Sequence, residues 1–389
     1  MPEHVPDLPF RLLFTDLGTD RVMDALPVKG LKFDDYIGKA GSLAGTIPIP
    51  DRSMAARVQQ AVQPGRTAVW VERGRELWWG GIVWTLTPHV DEHGFVTADL
   101  QAATWDSYLD HRIIYDQQTA THLDQLAIAR QLVEYAQMQP GGDMGIRLDP
   151  AQTSGVTRTR KVGGDEVRKV REALDDLAKV DNGFEWRIRV SRSEAGARTK
   201  SLQLGFPVIR TGQRPLMLTY PGNVLAYSWP QDATQVATVW QSRGATTNKN
   251  QAAASTPLLS ERLEAAEELA AGWPRLDGSS DYNTVRDAKT LNEHARADLD
   301  AARQPVTIPT LRVRLDDQIT PDVIGATVRL RIADTWHYEG LDALYRVVGW
   351  QATPAERGAG ASLELYLEAN SGPRAAGHNG SAEAGGAAA

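Results

Sequence analysis

The chain has 389 residues, a net charge of −7 and no cysteine. Without cysteine, disulfides, thiolate metal sites and cysteine nucleophiles are excluded. The acidic balance argues against a protein whose main affinity is for nucleic-acid phosphates, because that affinity depends on Lys and Arg displacing counterions. Residues 1–7 lack the basic start and apolar core of a signal peptide, and no apolar run approaches the roughly 20 residues of a membrane helix. We expect no membrane insertion.

Short strand patterns dominate the first part of the chain. They are rich in aromatic and aliphatic residues and lie at residues 10–14, 31–37, 67–73, 76–84 and 95–100. The short Arg73-Gly74-Arg75 link predicts a hairpin. Asp51 is a predicted N-cap of a short helix that Pro64-Gly65 ends. We assign residues 1–110 to a first β-barrel-like module.

The middle and the end of the chain differ from this pattern. Helical spacing of apolar residues predicts helices at residues 123–135, 165–180, 258–271 and 281–302, with a strand at 184–190. Strand patterns resume after Pro305. These patterns predict a mixed β-rich, α+β protein. Its parts are an α+β insertion domain at 111–230, two helices and a second β-barrel-like module at 231–370, and a disordered Gly- and Ala-rich tail at 371–389.

A weak internal repeat appears when the chain is shifted by 266 residues. The shift places four residues on identical ones: Trp84 on Trp350, Thr87 on Thr353, Pro88 on Pro354 and Gly94 on Gly360. The apolar positions of the strands that follow are out of step by one residue. Either the match is due to chance, or the chain carries two related β-modules that flank the insertion.

The segment His89-Val90-Asp91-Glu92-His93 matches a zinc-peptidase pattern, H-x-x-E-H. That chemistry needs a helix, so that both histidines share one face. Pro88 and Gly94 bracket the segment between two strand patterns, which favours a hairpin loop. We therefore predict no metal site here.

No other pattern points to catalysis or to a cofactor. The remaining histidines lack ligand spacing, and no G-x-S-x-G, Walker or dinucleotide-binding motif is present. The basic run 158–161 is typical of a solvated loop. Most of the eleven tryptophans are predicted to fill cores. The alternatives are a wall hydrolase and a wall-carbohydrate-binding module that stacks sugars on Trp78 and Trp79.

Several segments together resemble one family. They are residues 75–84, residues 105–112, the helix-to-strand segment 167–186, residues 221–229, and the closing strands up to residue 367. The chain resembles minor tail proteins of long-tailed bacteriophages that infect actinobacteria, and through them the baseplate hub, or tail-tip hub, family. The resemblance is diffuse and extends over about residues 5–370.

The resemblance implies a non-enzymatic structural protein of the virion, assembled in the host cytoplasm. It implies a homo-oligomer, expected to be a trimer, that forms a ring at the end of the tail tube, with DNA passing only in transit. Its implied partners are a distal tail protein, a tape-measure protein and tail fibre or spike proteins. A distal tail protein is the alternative within the structural class. Many hubs continue into a lysin or receptor-binding domain, and we expect any such activity on a separate chain.

Overall fold

The computed structural model describes residues 8–246, 256–305, 308–315, 319–356 and 360–369. The tail predicted at 371–389 lies outside the described residues. In the described part, strands outnumber helices and most strands join one large sheet. The predicted mixed β-rich fold class is confirmed.

The first module contains seven strands and one helix. The elements are β1 (Phe10–Asp16), β2 (Val22–Asp24), β3 (Lys29–Tyr36), β4 (Ser42–Ile49), α1 (Arg52–Ala61), β5 (Thr67–Arg73), β6 (Glu76–Val90) and β7 (Val96–Thr104). The Asp51 carboxylate accepts the N–H of Met54 at 2.8 Å, so Asp51 caps α1 as predicted. The β5–β6 hairpin, turning at Gly74 with φ +60°, is also confirmed.

The insertion follows a 3-10 helix at Trp105–His111. Its elements are β8 (Ile113–Ile114), β9 (Gln118–Asp124), α2 (Gln125–Met138), β10 (Ile146–Leu148), β11 (Thr157–Val162), β12 (Arg168–Lys169), α3 (Val170–Ala178), β13 (Glu185–Arg192) and β14 (Arg198–Gly205). The helix predicted from residue 165 starts at Val170. Val167 takes a left-handed φ of +50°, and Arg168 and Lys169 pair with β8, so both leave the helix.

The chain then returns to the large sheet before a small α/β unit follows. These elements are β15 (Thr211–Tyr220), β16 (Val224–Ser228), β17 (Val239–Thr246), β18 (Pro257–Leu259), β19 (Leu263–Glu264), α4 (Ala266–Ala270), β20 (Asp277–Asp281) and α5 (Ala288–Ala302). The helix predicted at 258–271 is largely wrong, because β18 and β19 pair with β17. Strand pairing overrides the helix propensity of this Ala- and Glu-rich stretch. α5 also starts later than predicted, because 277–281 pairs with β17 as a strand.

The second module is completed by β21 (Thr310–Arg314), β22 (Ala326–Ile332), β23 (Leu341–Thr353) and β24 (Ser362–Ala369). β15 pairs with β22, and β16 pairs with β21. The predicted boundary at residue 230 is therefore misplaced, since β15 and β16 belong to the second module rather than to the insertion. Sequence patterns mark strands, but only pairing shows which sheet they join.

Both modules share one 13-stranded sheet, because β3 of the first module pairs with β23 of the second. One apolar core extends through both modules, with Trp350 fully buried between Phe33 and Trp78. A second core joins the insertion to the opposite side of β5 and β6, through Trp70 and Trp105 among others. The insertion is thus fixed to the outside of the first module.

Candidate assembly surfaces

The two modules repeat one strand order. In the first, antiparallel neighbours run β3-β4-β7-β6-β5, and in the second they run β16-β21-β24-β23-β22. A helical turn precedes the fifth strand in both modules, as α1 in the first and as a 3-10 helix at Pro321–Val323 in the second. The small α/β unit replaces the hairpin loop between the first two strands. The likeness ends at the outer neighbours, since β1 pairs antiparallel with β5 whereas β15 pairs parallel with β22.

The residue-by-residue repeat is different from the predicted one. Each β6–β7-type hairpin carries one bulge, at Trp84 in the first module and at Val348 in the second. Aligning the bulges relates the first strands by 264 residues. The pair Val83–Ala102 then corresponds to Val347–Leu367, which relates the second strands by 265 residues. The shift of 266 is therefore two residues out on one strand and one residue out on the other.

Trp84 and Trp350 consequently do not occupy equivalent positions. Trp84 lies at its bulge against the insertion, where its ring stacks on His111 at 4.3 Å and its N–H donates to Ser107 Oγ at 2.9 Å. Trp350 faces the main core, and its counterpart in β6 is Leu86. A bulge shifts which residues face each side of a strand, and a shift chosen from residue identity does not detect it.

The other predicted repeat residues lie on or next to the same two hairpins. Thr87 and Pro88 pair with Asp99 and Ala98, and Thr353 pairs with Ser362. Pro354 follows the last residue of β23. Gly94 lies in the β6–β7 turn with φ +82°, and Gly360 precedes β24.

The His89–His93 segment is the end and tip of the β6–β7 hairpin, as predicted. His89 Nε2 lies 2.8 Å from Thr97 Oγ1, across the ladder. His93 Nε2 lies 3.6 Å from Glu92 Oε1. Among the described residues, no group of three or more His, Asp or Glu side chains could hold a metal ion. Within the same part of the chain, no helix is long and apolar enough to cross a membrane.

The tryptophans chosen for the carbohydrate-binding alternative are buried. Trp78 and Trp79 are 2% and 1% exposed, and Trp79 donates its indole N–H to the Asp34 carbonyl at 2.8 Å. Neither ring can stack on a sugar. The carbohydrate-binding alternative therefore loses the two residues on which it was based.

An exposed aromatic tip at residues 333–340, between β22 and β23, was missed by the sequence analysis. Trp336 and Tyr338 are 71% and 81% exposed. The backbone below them is held by Asp334, which accepts the N–H groups of Trp336 and His337 and the hydroxyl of Tyr227. Rigid exposed aromatic side chains are typical of protein interaction sites. The length of this turn, beside the short turn at Gly74 in the first module, was the available signal.

Buried ion pairs hold the insertion against both modules. Arg187 of β13 lies 2.8 Å from Asp35 of β3, and Arg346 of β23 bonds both oxygens of Glu185 at 2.6 Å and also contacts Glu368. Burial raises the pKa of Asp35 to about 6, although Arg187 opposes this shift. These pairs set the orientation of the insertion relative to the sheet.

A cavity of about 560 Å³ separates the insertion from α5. His294 of α5 lines it, is 2% exposed, and stacks on Tyr282 at 4.1 Å. Burial lowers the pKa of His294 to about 4, and the nearby guanidinium groups of Arg160, Arg158 and Arg168 lower it further. The basic run at 158–161 is thus partly buried in a domain contact, and its prediction as a solvated loop is wrong.

No protein-family model matches the chain, and no curated protein has a similar sequence. Solved structures do resemble it along almost its whole length. The tail protein from Neisseria meningitidis MC58 is 12% identical, with a TM-score of 0.59, and 93% of this chain covers 97% of that one. The 43 kDa tail protein of prophage MuSo2 from Shewanella oneidensis is 10% identical, with a TM-score of 0.57 and coverages of 92% and 98%. Prophage tail protein gp18 from Listeria monocytogenes EGD-e is 12% identical, with a TM-score of 0.51 and coverages of 93% and 95%. The chain has the β-rich fold of these phage tail proteins.

Proposed function

We propose that this chain is a structural subunit of a phage tail tip, a baseplate hub whose copies form a ring at the end of the tail tube. The observation that carries the proposal is the repeated five-strand order of the two modules. The fold shared with prophage tail proteins supports the same role.

The duplication has a direct use in a tail. A tube of six-fold symmetry must hand over to a three-fold tip, and a chain with two similar modules meets both symmetries. Three copies present six similar modules on one side while the ring itself remains three-fold. Closed rings of identical chains are the common outcome of head-to-tail contacts that complete a rotation.

The ring would line the path by which DNA leaves the particle. A net charge of −7 per chain gives −21 for three copies. Acidic groups along the channel would repel the phosphate backbone, so DNA would pass without binding. DNA is therefore a transient neighbour rather than a ligand.

The remaining partners follow from the position at the end of the tube. We propose a distal tail protein and the tape-measure protein on the tube side and a fibre or spike protein beyond, in a virion assembled in the host cytoplasm. We propose no enzymatic role and no cofactor. The organisms of the three similar structures are not actinobacteria, so the actinobacterial host stays a prediction.

The test is the copy number of the chain in assembled particles, together with the rotational symmetry of the purified ring in class averages. We expect three copies and three-fold averages with six similar lobes. Six copies per particle would favour a distal tail protein instead. A clear lysis band on a cell-wall zymogram would favour the hydrolase.

A further inference from the structure

The two modules of one chain are joined by a strand pair that covers half of β23. β22 pairs with β23 only from Leu341 to Arg346. Beyond that point the end of β3 takes over, with the pairs Tyr36–Gly349, Asp35–Trp350, Asp34–Gln351 and Phe33–Ala352. The first strand of one module thus covers the fourth strand of the other.

The equivalent half of β6 has no such cover. β5 pairs with β6 only as far as Ile82, and among the described residues no strand pairs with the side of Thr85–Val90 that faces away from β7. We call this side the open edge. Its residues Thr85, Thr87 and Val90 are exposed, whereas Gly349 and Ala352 in the covered half of β23 are buried. An unpaired strand edge presents free N–H and C=O groups to any strand that can reach it.

The repeat also identifies the segment that corresponds to the end of β3. The pair Ser228–Thr310 in the second module corresponds to Lys32–Ala44 in the first. Residues 229–232, the covering segment, therefore correspond to Phe33–Tyr36. In this segment Pro230, Gln231 and Asp232 are exposed. Its position in the chain is that of a strand that has left its own sheet with nothing to cover.

We propose that the covering segment of one copy pairs antiparallel with the open edge of a second copy, and so repeats between chains the junction that β3 and β23 form within one chain. The register carried over from that junction places Asp232 opposite Thr85, Gln231 opposite Leu86, Pro230 opposite Thr87, and Trp229 opposite Pro88. The contact rests on the proposed ring and supplies its interface. Because it joins two different surfaces, it is head-to-tail and closes a ring instead of a two-fold dimer.

The backbone groups fit this register despite two prolines. In the internal junction the Val348 carbonyl accepts the N–H of Ile37 at 2.9 Å, so alternate residues of β23, including Trp350, point their backbone groups toward β3. Leu86 and Pro88 hold the corresponding positions in β6, and Pro88 removes one donor. Pro230 takes the place of Asp34, whose carbonyl is already bonded to the Trp79 indole N–H. Pro230 therefore costs the pairing no hydrogen bond.

The absence of cysteine allows a direct test by disulfide trapping. Thr87→Cys and Pro230→Cys in one full-length chain would face each other in a non-hydrogen-bonded pair, where Cα atoms lie about 4.5 Å apart, within disulfide range. We expect oxidation to give a covalent trimer on a non-reducing gel. Each single variant should stay monomeric on the gel. The matched control combines Thr87→Cys with Arg243→Cys, an exposed residue outside the covering segment.

Two further variants secure the reading. Asp34→Cys with Gln351→Cys should form the equivalent bond inside one chain, without a change in mass, and shows that the junction geometry allows it. Thr85→Cys with Asp232→Cys tests the same register without removing Pro230. Melting temperatures near that of the unmodified chain show that each variant folds.

The outcomes separate the interface from the function. Three-fold rings in class averages without cross-linking by either pair would overturn the interface and leave the ring standing. A cross-linked ladder that stops at the dimer would overturn head-to-tail closure. A ladder that ends at six would support the strand pairing and contradict the three-copy ring. Sedimentation as a monomer at every concentration would overturn the self-assembly on which both depend.

Discussion

Arg346 and Arg329 provide a comparison between a buried and an exposed ion pair in adjacent strands. The Arg346 side chain is 4% exposed, and its guanidinium bonds Glu185, Glu368 and the Ile209 carbonyl. The Arg329 side chain is 45% exposed and bonds both oxygens of Asp342, at 2.7 and 2.9 Å. Both arginines contact a carboxylate through two nitrogens. The two sites therefore differ mainly in burial.

Methionine at either position keeps a long apolar stem and removes the charge. Breaking a buried pair costs about 3–5 kcal/mol, because the partner charge remains without compensation. Glu185 is 24% exposed and can recover some hydration, so we expect Arg346→Met to cost about 3 kcal/mol. An exposed pair contributes about 0–1 kcal/mol, and we expect Arg329→Met to lower the free energy of unfolding by less than about 1 kcal/mol.

The assay is urea denaturation of both variants, followed by tryptophan fluorescence, with the midpoint converted to free energy through the measured slope. The double variant Arg346→Met with Glu185→Gln should cost less than the sum of the single changes, because the two residues share one network. Equal losses for Arg346→Met and Arg329→Met would refute the reasoning. They would show that the contact of β13 with β23 does not depend on a buried charge pair.

Three other outcomes test separate parts of the molecule. The folded pKa of His294, about 4, lies below the unfolded value of 6.5, so its contribution to stability is complete above pH 6.5 and is lost as pH falls toward 4. Between pH 7 and 4 the wild type should lose about 3 kcal/mol more than His294→Asn, and parallel pH profiles would contradict this. Gly81→Ala places Cβ 2.1 Å from the Ala103 carbonyl oxygen and should lower the melting temperature by many degrees, whereas Gly360→Ala meets nothing within 4 Å and should not. Elemental analysis should find no stoichiometric zinc, and one zinc per chain that is lost in His89→Ala would contradict the hairpin interpretation.

Local patterns determined much of the fold. Asp51 caps α1, the link at Gly74 turns a hairpin, and the bracket of Pro88 and Gly94 places His89–His93 on a hairpin tip. Each of these features depends on residues close together in the chain, through backbone preferences or one short hydrogen bond. The sequence alone also indicated two β-rich modules around an insertion.

Tertiary structure decided the features that depend on distant partners. Residues 258–264 form strands because β17 lies beside them, and β15 and β16 join the second module because β21 and β22 do. Trp84 and Trp350 face different cores because bulges, set by partner strands, change the register. The open edge of β6 is visible only once the covered half of β23 is known. Strand pairing joins residues hundreds of positions apart, so the pattern within a strand shows its faces but not its neighbour.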